Sequence, residues 1–194
     1  VLLDGGFHEI AQDELVSFSE GTRVAREQRI PLARLFYRTG DPHRAQQLIA
    51  SGFGPALERG IDPLWRDAWE LAWPRAFRDA VANAQNEFNF DPPLVYAVMR
   101  EESEYRPGVS SPAGAMGLMQ LIPPTANRVA EKLGVVGFEP RQLFDPATNI
   151  RFGTWYLRSL VERFGDRYVA IVTLKAAAGA FGDFQEVTPD GWAE

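Results

Sequence analysis

Three carboxylates crowd into four positions, Glu101, Glu102 and Glu104, near the end of the run VYAVMREESEYRPG (residues 95–108). Carboxyl groups give and take protons, so what matters is which of the three can sit in a cleft rather than in water. Leu94, Val95, Val98 and Met99 recur at helical spacing, and at about 100° per residue they mark one apolar direction. Projected forward, Glu102 falls near the middle of that stripe, Glu101 about a quarter-turn away at its margin, and Glu104 on the far side with Arg100 and Tyr96. Glu102 is therefore expected to point inward. Apolar surroundings and the carbonyl end of its helix both disfavour the anion, which raises the expected pKa and leaves a proton on the group near neutral pH. A proton-bearing acid beside a cleft is a candidate general acid. The ordinary alternative is a helix-ending glutamate that caps a neighbouring segment or pairs with an arginine. Glu101 and Asp145 are read in that ordinary way, the first as solvated or ion-paired, the second as a helix N-cap.

The segment that follows, SSPAGAMGLMQLIP (residues 110–123), is built to fold tightly over an acid. Gly108, Gly114 and Gly117 permit backbone shapes that other residues resist, and such a loop brings amides close to a ligand. Ser111 and Gln120 supply uncharged donors and acceptors, while Leu118 and Met119 supply adaptable apolar surface. That mixture suits a sugar. Other chemistries are not assembled. The only histidines are His8 and His43 and there is no cysteine, so neither a histidine-based triad nor a zinc cluster is available, and no metal or cofactor is expected. The run GVSSPAG is not a Gly-x-Ser-x-Gly elbow, and no glycine-rich loop ends in Lys-Ser/Thr to hold phosphate.

Helical patterning dominates the elements that must position these residues, and almost no strand is expected. Asp91-Pro92 opens a helix running to about Ser103, with an N-cap and a preset first φ. Pro123-Pro124 opens a second, ending at Gly134, and Asp145-Pro146 a third, ending at Gly165. The third carries Ile150, Gly153, Leu157, Leu160, Val161 and Phe164 on one side, the spacing of a buried face. A last helix covers about 167–178. Earlier, Gly6-Phe7-His8-Glu9-Ile10-Ala11 is echoed by Gly40-Asp41-Pro42-His43-Arg44-Ala45 at an offset of 34 residues, the period of stacked helical hairpins. The aromatic, proline-interrupted run LWRDAWELAWPRAF (residues 64–77) suits a boundary, placed near Trp73-Pro74. Trp65, Trp69 and Trp73 recur every four residues and read as a docking surface rather than a carbohydrate platform. The chain is thus all-α, with a helical scaffold over 1–73 and a second domain over 74–194.

The totals agree with a globular enzyme or binding module. The 194 residues are 45% apolar and 24% charged, with a net charge of −6, and that acidity argues against nucleic acid, which is held through clustered Lys and Arg. No apolar run approaches the length of a membrane span. The start VLLDGGFHEI has no basic leader with a hydrophobic block, and a chain beginning at Val1 is expected to be a fragment or processed product.

Arg100-Glu101-Glu102-Ser103, Ser111-Pro112-Ala113-Gly114-Ala115, Gly117-Leu118-Met119-Gln120-Leu121-Ile122-Pro123 with Thr125-Ala126, Asp145-Pro146, Asn149-Ile150, Gly153, Tyr156 and Leu157 together closely resemble the soluble lytic transglycosylases. The resemblance covers most of 76–164. It implies a goose-type lysozyme-like catalytic domain, preceded by the last turns of a helical superhelix. It also implies cleavage of the β-1,4 bond between N-acetylmuramic acid and N-acetylglucosamine in peptidoglycan without added water. The family's catalytic glutamate precedes the Ser of a Glu-Ser pair, which falls on Glu102, the residue the helical projection selects independently. Glu102 would protonate the leaving oxygen and then take the proton of the muramyl 6-hydroxyl as it closes onto the anomeric carbon, giving a 1,6-anhydro sugar. Ser111 and Gln120 fall on sugar-contacting positions, Met119 on the groove wall, and Ser103 beside the acid, where it too is expected to meet substrate. The implied partner is the glycan strand, the implied place the periplasm or cell envelope, and other envelope-protein partners and the oligomeric state are left open.

One stretch departs from the family. Where its members read Ala-Tyr-Asn-Ala-Gly, this chain reads LKAAAGAFG (residues 174–182), with Ala176 at the Tyr and Ala177 at the Asn. Lost groups beside the acid would weaken positioning. A substrate-binding relative without activity, an enzyme with a rearranged wall, and a sequence that does not represent the natural residues all remain open; the third is favoured, and the natural gene is expected to read Tyr-Asn. Trp192-Ala193-Glu194 resembles a later aromatic-x-Glu segment of the family. If that short match holds, Glu194 approaches the groove and the domain is C-terminally incomplete. Against the transglycosylase stand a hydrolytic lysozyme with the same fold and acid, and a non-catalytic peptidoglycan-binding or assembly module.

Overall fold

The structure, a computed structural model, describes residues 2–60 and 62–177. Its contacts divide the chain into two units, Val1–Ala76 and Phe77–Glu194, three residues beyond the junction expected near Trp73-Pro74.

The first unit holds α1 (His8–Gly21), α2 (Arg26–Arg38), α3 (Pro42–Leu57) and α4 (Arg66–Ala72), with a 3-10 turn over Pro63–Trp65. α1 packs on α2, α2 on α3, and α4 on both α2 and α3. The echoed segments, Gly6 onward and Gly40 onward, each open a helix after a glycine of positive φ (80° and 87°). Asp41 caps α3 by accepting from the Arg44 amide at 2.9 Å, and Gln12 of α1 donates to the same carboxylate at 3.1 Å. Leu32, Ala33 and Phe36 of α2, Ile49 and Phe53 of α3, and Leu71 of α4 form the core. Trp65, Trp69 and Trp73 pack against it, the last two stacked with ring centroids 3.7 Å apart. His8 is exposed on α1 and His43 half-buried in the first turn of α3.

The second unit holds α5 (Arg78–Phe88), α6 (Pro92–Ser103), α7 (Pro123–Lys132), α8 (Pro146–Phe164) and α9 (Arg167–Ala177), with a 3-10 turn over Pro140–Phe144. α8 is the axis of this unit and packs against α5, α7, α9 and that turn. Its start and stop are written in its sequence. Asp145 accepts from the Thr148 amide at 2.8 Å as N-cap, Pro146 supplies the first turn, and Gly165 at φ 66° ends the helix. Asp91, expected to cap α6 in the same way, makes no side-chain cap bond; its carboxylate lies 3.9 Å from Arg167 instead. The buried face of α8 comprises Asn149, Ile150, Phe152, Gly153, Thr154, Leu157 and Leu160. Val161 is half-buried and Phe164 exposed, although both fall on the face expected to be buried. Among the described residues there is no strand, only isolated bridges from Met116 to Ser110 and to Leu121.

Candidate active site

The last turn of α6 and the loop 109–121 form the site. α6 buries Val95, Val98, Met99 and Ser103, and at about 100° per residue these mark an arc centred between Val95 and Met99. Glu102 falls within that arc, between Val98 and Val95, and stands half-buried. The next residue, Ser103, is buried beneath the loop, its hydroxyl donating to the Leu118 carbonyl. Glu101 is 57% exposed, with Arg100 3.8 Å away. Glu104 lies beyond the helix as its left-handed cap (φ 49°), its amide donating to the Arg100 carbonyl at 3.0 Å, and Tyr105 continues left-handed at φ 63°. Two such residues in succession end the helix in a sharp turn, and Tyr105 is buried within it.

The loop is knotted by its own backbone. Met116 and Leu121 exchange amide–carbonyl bonds of 2.9 and 3.2 Å, the Ser111 amide donates to the Ala115 carbonyl at 2.8 Å, and the Gly117 amide donates to the Val109 carbonyl at 2.9 Å. Gly114 and Gly117 adopt φ of 80° and 76°, as the small-residue reading requires, whereas Gly108 has no positive φ. At Gly117 a Cβ would strike the Leu143 carbonyl and the Asn149 amide. Gly153 is required for a matching reason on α8, since a Cβ there would strike the Met119 side chain.

The candidate ligand-contacting residues are distributed as follows. Ser111 is half-buried, its hydroxyl oxygen accepting from the Ala115 amide at 3.1 Å. Gln120 is 6% exposed and left-handed at φ 47°, a conformation that costs a non-glycine residue about 1–2 kcal/mol. Its Nε2 donates to the Gly117 and Val109 carbonyls at 2.8 and 3.3 Å, so the amide plane is fixed. Met119 and Ser103 are placed differently from expectation. Met119, expected on the groove wall, is 0% exposed against α8. Ser103, expected to meet substrate, is 2% exposed, its hydroxyl shared between the Met99 carbonyl at 2.9 Å and the Leu118 carbonyl at 2.8 Å. Both side chains lie behind the surface because the loop packs directly onto α6 and α8. Glu194 lies outside the described residues, and so do the side chains of Ala176 and Ala177, whose backbone belongs to α9.

Sequence reasoning passed over one role. Asn149, quoted only as part of a pattern, is wholly buried, and its carboxamide bonds the Met119 amide and the Met116 and Leu143 carbonyls. The available signal was a polar residue in phase with Ile150, Gly153 and Leu157, since a buried amide must have partners. Among the described residues no group of three potential ligands could hold a metal. Tyr156, on the outer flank of α8 beside the Val129 and Phe152 cluster, is held above the ordinary phenol pKa chiefly by burial.

Residues 79–187 match the model of the family described as Transglycosylase SLT domain. The chain belongs to this family. The soluble lytic murein transglycosylase of Escherichia coli K12 is 36% identical over 107 residues, which make up 55% of this chain and 16% of that protein. The crystal structure of the 70 kDa soluble lytic transglycosylase of Escherichia coli matches with a TM-score of 0.69 and 28% identity over 92% of this chain and 27% of that one. An inactive glutamate-to-glutamine mutant of the lytic transglycosylase Slt of Pseudomonas aeruginosa matches with a TM-score of 0.65 and 28% identity over 80% of this chain and 24% of that one. This SLT-family chain therefore spans about a quarter or less of the length of these relatives, and its helices take the all-α, lysozyme-like course of theirs.

Proposed function

We propose that the chain is the catalytic part of a peptidoglycan lytic transglycosylase that cleaves the bond between N-acetylmuramic acid and N-acetylglucosamine, with Glu102 acting first as acid and then as base. The observation that carries the reading is the seat of Glu102: half-buried on the last turn of α6, with the rigid loop 109–121 tied to the very next residue. A carboxyl group in that position is sheltered on one side and open on the other, which is what proton delivery to a glycosidic oxygen requires. The inactive glutamate-to-glutamine mutant among the structural neighbours supports a single indispensable glutamate.

Protonation of the leaving oxygen leaves Glu102 as a carboxylate. It then accepts the proton of the muramyl 6-hydroxyl as that oxygen bonds to the anomeric carbon, so atoms and charge balance without water. No second carboxylate is needed as nucleophile, unlike the two-carboxylate retaining arrangement. Gln120, with its amide plane fixed, and Ser111, at the loop's rim, are assigned to hold the sugar; Met119 and Ser103 are assigned to shape and steady the loop from behind. The first unit is assigned to the end of a helical superhelix, and the cell envelope follows as the location from the substrate. No helix of the described residues is long and apolar enough to cross a membrane.

A second reading is favoured by Ala176 and Ala177, which replace the Tyr and Asn of the family pattern: a domain that binds glycan without cutting it. The two separate on purified sacculi. The enzyme reading expects release of 1,6-anhydro ends, lowered about 100-fold to 10,000-fold in Glu102→Gln. Undiminished release by that variant would falsify the assignment of Glu102, and binding without release by both proteins would establish the second reading.

A further inference from the structure

Asn149 has no place in the reaction as described above, yet three parts of the second unit meet on its side chain. It stands in the first turn of α8 and is 0% exposed. Its Oδ1 accepts from the Met119 amide at 2.7 Å, and its Nδ2 donates to the Met116 carbonyl at 2.9 Å and the Leu143 carbonyl at 2.8 Å. One acceptor and two donors is the complement that a carboxamide alone supplies at this size: a carboxylate has no donor, and an aliphatic side chain has neither. Packing alone would be met by any side chain of the same shape.

The two loop residues it grips, Met116 and Met119, flank Gly117 and Leu118. Gly117 is the residue whose missing Cβ leaves room for the Asn149 amide. Leu118 offers its carbonyl to the Ser103 hydroxyl at 2.8 Å, and Ser103 follows Glu102 in the chain. The path from α8 to the acid thus runs through two fully buried links, one from Asn149 to the loop and one from the loop to the last turn of α6.

We propose that Asn149 is a positioning residue for Glu102: its carboxamide sets the Leu118 carbonyl on which Ser103, and with it the end of α6, is registered. This rests on the reading of Glu102 as the acid. Displacement of a catalytic group by about 1 Å can cost about 100-fold in rate, so the effect belongs in kcat, with KM little changed.

The test uses the full chain on purified sacculi, with Asn149→Asp, Asn149→Leu, Ser103→Ala and Glu102→Gln compared with wild type across pH, all below their melting temperatures. Near neutral pH, Asn149→Asp turns a carboxylate toward two carbonyl oxygens, and kcat is expected to fall about 100-fold. As the pH falls the buried carboxyl takes up a proton and regains one donor, so its rate relative to wild type climbs, whereas the ratio for Asn149→Leu stays flat. Wild-type kcat in both Asn149 variants, or equally flat ratios for the two, would overturn the proposal, the latter because it is the mark of packing alone. If the Asn149 variants do not fold, Ser103→Ala decides: a lowered kcat at unchanged KM supports the path, and an unchanged kcat breaks it. Full activity of Glu102→Gln would instead remove the reading of the acid, an outcome scored on that variant by itself.

Discussion

Gly117 condenses the site into one position. Its φ of 76° is open to few residues, and the space beside its Cα is filled by a backbone carbonyl and a buried amide. Gly117→Ala is expected to lose about 1–2 kcal/mol from the left-handed backbone alone, with a further loss as Leu143 and Asn149 are pushed aside; a lowered melting temperature together with lowered glycan release is the outcome to look for. Asn149→Leu strands one N–H and two carbonyls in the interior, at about 1–3 kcal/mol for each unmet group. It should therefore melt well below Asn149→Asp measured in acid. Glu102 stands out as the candidate acid in the sequence because helical periodicity and the Glu-Ser pair select the same residue. Its half-burial was not legible there, since the wheel gives a direction but no knowledge of the loop that covers Ser103. The burial of Met119 and Ser103 was hidden for the same reason: a loop's sequence shows which side chains it carries and leaves open which of them pack backwards.

Among the elements, α8 does most to fix the site, because Asn149 and Gly153 engage the loop while other faces meet α5, α7 and α9. Its boundaries could be read from Asp145-Pro146 and Gly165, where local chemistry decides. Its far end could not, because whether Phe164 is covered depends on what packs there. α5 is joined to α8 by Glu87 and Arg151, whose Nε and Nη2 reach the carboxylate at 2.8 and 2.7 Å. Hydrogen bonds from Arg151 hold the Glu87 carboxyl below its ordinary pKa, against a smaller opposing effect of burial. A depressed acid stabilises the fold above its unfolded pKa and loses that contribution as pH falls through the folded one. Because both side chains are more than a third exposed, the gain is that of a surface pair, about 0.2–1 kcal/mol. Glu87→Gln is accordingly expected to melt slightly below wild type at neutral pH and to converge with it in acid. A gap that widened on acidification would show that the pair does not act this way.

At the scale of the whole chain, each unit has its own buried cluster, and the chemistry is assigned to the second. Phe36, 1% exposed in the first unit, offers a clean perturbation: Phe36→Ala should cost about 3–5 kcal/mol through lost burial and a cavity, lowering the melting temperature while leaving the rate of the folded protein intact at lower temperature. The all-α class followed from periodicity and punctuation alone; the 34-residue echo falls on the starts of α1 and α3, of which only α3 carries a side-chain cap. In the proposed reaction one glutamate completes cleavage without water. Digestion of sacculi in water enriched in heavy oxygen, followed by mass spectrometry of the released muropeptides, tests it most directly. Ends lighter than a hydrolysis product by one water and free of the label are expected; labelled reducing ends of full mass would rule the waterless reaction out.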